Sequence, residues 1–383
     1  MITIIVLLIL AGVALNLTIG QNGIFTRAQK SVNTWRNAET NEQLAMGELE
    51  DWMDGYLNGN GGSGTGGETT TVGDLKPGEG EEVTILDETT EVEDGLENKV
   101  VIPGGFGIAS DSGTNVEDGI VIEDEDGNQF VWIPAKAEAE GGATINLSTG
   151  GTETIVYQRT TFTGENITTK FTETMPSDEE ASVNAWGGYY IGRYEAGDKE
   201  STEAKTMRSG QTDATITIKK GQAPYNYITQ ANAKTKAEGM DEAQQYATAT
   251  TKLLSSYAWD TAISYIQIKN SNYGTNSPEG NYYNSDSFTY TDIAGDKQTK
   301  NNNSSTLIPT GQTTALSNIY DMGGNLYEYT TESGSYESNP YVYRGGGYSY
   351  SYDDYPAGFR GNIFGNAYSS RGFRVTLYCS TES

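Results

Sequence analysis

Between Tyr341 and Tyr378 the chain places eight of its 26 tyrosines among glycine, serine, asparagine and aspartate. Rigid amphipathic rings with few torsions to freeze, set among small adaptable hydrogen-bonding groups, make up the residue mixture of an antibody combining site. From Arg344 to Tyr378 there is no Lys, Glu, Gln, Met, Trp, His or Cys. Such a stretch offers a contact surface rather than an active site. Read as extended chain, it sets Tyr348, Tyr350 and Tyr352 on one face and Ser349 and Ser351 on the other. A continuous tyrosine face needs either a core or a partner, and packing of the rings against neighbouring loops is the alternative to binding. The candidate ligand-facing residues are Tyr348, Tyr350, Tyr352, Asp353, Asp354, Tyr355, Asn362, Phe364, Asn366, Tyr368, Ser369 and Ser370. Arg360 and Phe373 read as scaffold.

The rest of the composition closes off several function classes. A net charge of -28 over 383 residues argues against nucleic acid or an anionic membrane surface as partner and suits solubility outside the cell. Cys379 is the sole cysteine, so no internal disulfide can form, and there is no histidine. Ser-His-Asp and Cys-His catalysis and imidazole metal ligation are therefore excluded.

Residues 2–19 are apolar and uncharged, just long enough to span a bilayer as a helix. No basic segment precedes them as in a secretory signal. A polar-to-amphipathic helix is expected from Ile24 to Leu57, with Val32, Trp35, Leu49, Trp52, Met53 and Tyr56 as a patchy stripe. This hydrophobic half followed by an amphipathic half resembles the N-terminal helix of type IV pilin-like proteins, in which a short basic leader ending in glycine is cut away. Here Met1 stands inside the apolar run, so either the start lies upstream or the helix is not processed. Arg27, Lys30 and Arg36 follow the span, and charge bias alone would put that side in the cytoplasm. A large acidic domain with a combining-site composition is expected outside, at the cell surface and anchored in the membrane by this helix. Pilin-like assembly into a filament is a second possibility.

Asn58–Gly67 reads as a flexible Gly-rich coil, and the acidic, Thr-rich stretch to Asn98 as a continuation of the stalk. One large domain is expected over 99–383. Short strands are expected at Val100–Pro103, Gly119–Glu123, Phe130–Pro134 and Tyr189–Glu195, with an Asp126-Gly127 hairpin turn between the second and third. Thr229–Ala237, capped by Thr229, and Ser256–Ile266 read as helices. Asn270–Thr306 reads as a long, irregular, solvated insertion.

Seven motifs then fall in one order: Phe130-Val-Trp-Ile-Pro, Tyr190-Ile-Gly-Arg-Tyr-Glu, Pro224-Tyr-Asn-Tyr-Ile-Thr-Gln-Ala, Leu253-Leu-Ser-Ser-Tyr-Ala-Trp-Asp-Thr-Ala, Ile319-Tyr-Asp-Met-Gly-Gly-Asn-Leu-Tyr-Glu-Tyr, Arg344-Gly-Gly-Gly and Gly372-Phe-Arg-Val. In that order residues 99–378 resemble formylglycine-generating-enzyme (sulfatase-modifying factor) domains. The resemblance implies an α+β variant of the C-type lectin fold, with a small antiparallel sheet and much irregular loop, here preceded by the long N-terminal α-helix. Enzymes of that family oxidise a substrate cysteine with copper held by a cysteine pair, and this chain has no such pair, so no catalytic cofactor is expected. Asn325 and Glu328 match positions near a calcium site common in the family, which implies a structural Ca²⁺; closing a turn by hydrogen bonds is the alternative for that pair.

Lectin-fold domains of this kind also resemble the variable proteins of diversity-generating retroelements. In these, error-prone copying at template adenines scatters asparagine codons among Tyr, Ser, Asp, Asn, Gly, Phe, Ala and Ile. Lys, Glu, Gln, Met and Trp stay out of reach, as they are absent between Arg344 and Tyr378. The resemblance implies a non-catalytic, surface-anchored receptor or adhesin with a variable target, such as a protein on another cell or a virus. A pilin-like structural subunit and a sulfatase-maturing oxidoreductase are the competing classes.

Overall fold

The computed structural model describes residues 70–200 and 215–381. The expected membrane span, the amphipathic helix to Leu57 and the glycine-rich start of the linker lie outside those residues. Among the described residues no helix is long and apolar enough to cross a membrane.

The acidic stretch up to Asn98, expected as stalk, packs on the domain from residue 70 onward. A one-turn helix, α1 (Val72–Leu75), starts at a capping box in which Thr71 and Asp74 satisfy each other's backbone N–H. Strand β1 (Thr90–Glu93) pairs antiparallel with β2 (Lys99–Ile102), burying Val72 and Val92. The turn between them is tied by the buried Asp94 carboxylate, which accepts from the backbone N–H groups of Leu96, Asn98 and Val116. Val72, Val92, the buried Asp94 and contacts of Lys76 and Leu86 with residues 105–112 attach a segment whose composition reads as solvated.

The main sheet has six antiparallel strands. Five are β3 (Phe106–Ile108), β4 (Val121–Asp124), β5 (Gln129–Pro134), β6 (Gly188–Gly192) and β7 (Ala249–Leu253), and the sixth is the closing strand β12 (Val375–Cys379). They lie in the order β7-β12-β6-β5-β4-β3. Phe130, Val131, Trp132 and Ile133 are all buried, so β5 is covered on both faces and reads as a continuous apolar run rather than an alternation. Burying each such side chain contributes roughly 1.5–3 kcal/mol. Trp132 lies opposite Tyr190 in β6, ring centres 5.0 Å apart. The β4–β5 turn forms as the Asp-Gly pair predicts: Gly127 takes a φ of 81°, and Asp124 accepts from the N–H and side chain of Asn128.

Four further helices surround the sheets: α2 (Ser177–Trp186), α3 (Gln230–Glu238), α4 (Met240–Gln244) and α5 (Ser256–Ile266). Thr229 caps α3 and Ser255 caps α5, each accepting from a backbone N–H in the first turn. Helix α5 is buried nearly all round.

A second, five-stranded sheet contains β8 (Tyr327–Tyr336), β9 (Asn339–Arg344), β10 (Arg360–Ile363) and β11 (Arg371–Phe373) in the order β10-β9-β8-β11. Strand β11 runs parallel to β8, and the short strand Phe171–Thr172 also pairs with β8. The tyrosine-rich tail therefore supplies two strands of this sheet and then, through β12, the neighbour of β6 in the other.

The extended tyrosine face does not form. Strand β9 stops at Arg344, and residues 348–355 run through turns. Three glycines force the change. Gly345 has a φ of 69°, and a Cβ on Gly346 would stand 2.2 Å from the Tyr282 ring and 2.3 Å from the Tyr355 carbonyl. The 270–306 insertion is more ordered than its composition suggests, since Phe288–Thr291 and Lys297–Lys300 pair as an antiparallel hairpin.

Candidate ligand-binding face

The tail is held by buried ion pairs as well as by apolar side chains of its closing strands, Phe373, Val375 and Leu377. Arg344, at the end of β9, pairs with the Asp260 carboxylate of α5 at 2.6 Å, and both side chains are fully buried. Its guanidinium also donates to the carbonyls of Phe359 (3.0 Å) and Gly358 (3.2 Å), so one side chain at the start of loop 345–359 grips the loop's far end. Arg360 pairs with Asp260 and, at 3.0 Å, with Glu332 of β8; Arg159 reaches the same glutamate. Arg374 makes a bidentate pair with Glu328 at 2.7 and 3.1 Å. Burial works against the charge on Arg360 and Arg374, but the facing carboxylates raise both above the ordinary guanidinium value. Burial, followed by repulsion from Arg360, lowers Arg344. Arg360 and Phe373, read as scaffold, are both buried.

All twelve residues proposed to face a ligand reach solvent. Tyr350, Asp353, Asp354, Phe364, Asn366 and Tyr368 are exposed; Tyr348, Tyr352, Tyr355, Asn362, Ser369 and Ser370 are half-buried. Tyr350, Phe364 and Tyr368 expose 43%, 54% and 45% of their surface, well above what a ring with a packing role retains. The buried residues between them are Pro356, Ala357, Gly358, Arg360 and Gly361.

A ring from outside the tail organises this face. Tyr327 of β8 is buried, and its ring centre lies 4.8 Å from Tyr343, 5.5 Å from Tyr350, 5.9 Å from Tyr355 and 6.5 Å from Phe359. Tyr355 in turn stacks edge-on with Phe359 at 4.8 Å and meets Tyr350 at 4.9 Å. On the second loop, Tyr368 lies over the Arg371 guanidinium at 4.2 Å, and its carbonyl accepts from Tyr227 N–H. Asn226 donates to the Ser369 carbonyl at 2.8 Å, and the Tyr329 hydroxyl donates to that of Asn366 at 2.7 Å. These loops are fixed through their backbones, leaving their side chains free to vary. The sequence reading missed Tyr327. Its signal was the Tyr-Glu-Tyr alternation at 327–329, which puts both rings on the face opposite Glu328.

Asn325 and Glu328 do not fit a calcium ion. Both carboxylate oxygens of Glu328 are engaged by Arg374, while the Asn325 amide oxygen accepts from Asn281 (2.9 Å) and Ile308 N–H (3.3 Å). The Asn325 amide nitrogen donates to Glu195 at 2.7 Å. Asn325, at a φ of 52°, thus bridges Asn281, Ile308 and Glu195, while Glu328 serves Arg374. No group of three or more His, Cys, Asp or Glu that could hold a metal lies among the described residues. Cys379 is buried, and burial pushes its thiol up to about 12.

Residues 239–378 match the family model of the sulfatase-modifying factor enzyme 1-like domain. Over those residues the chain is similar to that family, and the described residues are mostly sheet with few helices. No curated protein matches it in sequence. Among solved structures it is similar to PvdO from Pseudomonas aeruginosa, at 14% identity and a TM-score of 0.37, over 67% of this chain and 97% of that one. CarF is 14% identical with a TM-score of 0.34, over 50% of this chain and 87% of its own. Treponema denticola variable protein 1 is 14% identical with a TM-score of 0.30, over 66% of this chain and 95% of that one.

Proposed function

We propose that this chain is a non-catalytic ligand-binding protein whose tail, from Arg344 to Tyr378, is a diversified combining face. In this reading the N-terminal helix anchors it at the cell surface, where it acts as a receptor or adhesin for a variable protein target. One observation carries the reading: the residues with combining-site chemistry all reach solvent, while the arginines that frame the tail, Arg344, Arg360 and Arg374, are buried and ion-paired. A surface evolved only to be wet would not expose rings such as Phe364 and Tyr350. The lone thiol is buried and protonated, which leaves the family's cysteine and copper chemistry without a reactive sulfur.

Deep sequencing of the 3′ end of the gene across a population of the source organism tests the proposal. Expected are substitutions restricted to adenine-derived codons at the twelve solvent-facing positions, with a near-copy of the stretch downstream and with Arg344, Gly346, Arg360 and Arg374 unchanged. Sparse, uniform variation without a template copy would overturn diversification and leave a fixed lectin-fold head.

A further inference from the structure

Part of the 270–306 insertion lies against the tail. Tyr283 N–H donates to the Tyr350 carbonyl at 2.9 Å. The Asn284 amide bridges the next turn: its oxygen accepts from Tyr352 N–H and its nitrogen donates to Asp353 Oδ2, both at 3.1 Å. The buried Tyr282 ring meets Tyr352 edge-on at 5.9 Å. The loop is fixed from beneath by the buried Lys300, whose ammonium donates to the carbonyls of Tyr282, Tyr283 and Ser285. Asn302 adds bonds to the carbonyls of Asn284 and Ser285. At the other end the Asn281 carbonyl accepts from Asn325 N–H at 2.8 Å, just before β8. Tyr283 is nonetheless 39% exposed, beside Tyr350.

We propose that the loop Tyr282–Asn284 is a second, invariant wall of the binding face, and that with Asp353 and Asp354 it receives a folded protein surface bearing lysine or arginine. The proposal rests on the reading of the tail as a combining face and adds what lies beside it. The wall holds the Tyr350–Asp353 backbone in place whatever side chains that stretch displays, and it contributes a fixed ring. The charge of the partner follows from the exposed groups. Between Gly345 and Ser370 the charged residues are Asp353, Asp354 and Arg360, and Arg360 is buried and neutralised. Ser351 and Asn284 both bond Oδ2 of Asp353, leaving Oδ1 without a partner among the described residues, and Asp354 is exposed. Two exposed carboxylates on the stretch that this loop holds suit a cationic side chain by ion pairing.

The test displays the full chain with the twelve solvent-facing positions randomised and pans it against hen egg-white lysozyme, a basic protein, with serum albumin as acidic counterpart. Expected are lysozyme binders that retain an acid at 353 or 354. In them Tyr283→Ala should weaken lysozyme binding at least tenfold without moving the unfolding midpoint, and Asn284→Ala should weaken it as much with only a small shift of that midpoint. Binders whose affinity changes less than twofold on both substitutions would overturn the second wall while leaving the combining face intact. Binders that favour albumin and carry no acid at 353 or 354 would overturn the cationic partner. Failure to obtain any binder from a folded library would overturn the combining face itself.

Discussion

The two sheets of this domain differ in the share of charge buried beside them. In the six-stranded sheet, β5 and β6 interlock through Val131, Trp132, Ile133, Tyr190 and Ile191, and specificity lies in shape. Beside the second sheet Arg344, Arg360, Asp260 and Glu332 are buried as ion pairs among apolar groups such as Tyr329, Val342 and Phe373, and pairing adds to shape. Apolar packing couples every side chain to its neighbours, so a changed residue is felt across the core. A buried ion network instead fixes a few backbone points, and what the chain displays between those points is uncoupled from it. A face that must change its residues is better carried by the second arrangement.

The most direct way to break this contrast is to remove the shared carboxylate. Asp260→Ala leaves Arg344 and Arg360 buried with one partner fewer each, and the expected loss is about 3–5 kcal/mol, read by urea unfolding of the full chain. Ile191→Val in the apolar sheet should cost only about 0.5–1.5 kcal/mol. If Asp260→Ala costs less than the valine substitution, the ionic frame is not what holds the tail.

The polar region should also respond to pH where the apolar sheet does not. Glu173, next to the strand Phe171–Thr172, accepts from Ser256 at the start of α5 and from Thr331 in β8. Burial raises its carboxyl to about 7, outweighing those hydrogen bonds. Between about pH 4.5 and 7 the folded chain then keeps a proton that the unfolded chain has released. Stability falls as pH rises through that window, by about 3 kcal/mol at most. Glu173→Gln should flatten this slope in unfolding curves measured from pH 4.5 to 7.5. An unchanged slope would assign the dependence to other buried acids, such as Glu179 or Asp321, whose carboxyls burial also raises.

How much of this contrast the sequence discloses follows from the same physics. The apolar strands, the Asp-Gly turn and the capped helices α3 and α5 were legible because local chemistry and tertiary role agree there. Helix α2 was not, for it has no apolar stripe. Its acidic first turn and Gly187 at a φ of 84° set its ends, and only Val183 among its large apolar side chains is buried. The composition of the face was legible, and its twelve residues do reach solvent. Its geometry was not, because strand alternation says nothing of a glycine at positive φ or of a Tyr282 ring that occupies the space beside Gly346. Residues 282–284 were passed over as solvated insertion, since contacts through backbone groups and a buried lysine leave no pattern in a single sequence.

A smaller effect sharpens the boundary between frame and face. Asn284→Ala removes two hydrogen bonds at the edge of the tail and should cost about 1 kcal/mol. Amide exchange at Tyr352 should quicken several-fold, while exchange in β5 stays as it was. Equal acceleration in both would mean that the loop and the apolar sheet open as one unit.

The effect that is smallest per residue is the most diagnostic. Replacing Tyr350, Phe364 and Tyr368 together by serine removes the three most exposed rings of the face. Surface substitutions away from the core usually stay within about 0.5 kcal/mol each, so the sum should not exceed about 1.5 kcal/mol. Tyr350 will account for most of it, because it touches Tyr327 and Tyr355, whereas Phe364 has no ring contact among the described residues. The same triple change among the buried rings Tyr189, Tyr190 and Tyr378 should unfold the chain outright. A loss above about 3 kcal/mol for the exposed triple would mean that those rings are structural, and the separation of frame from face would fail. A loss near zero would mean that three large aromatic side chains are kept in water for something other than folding.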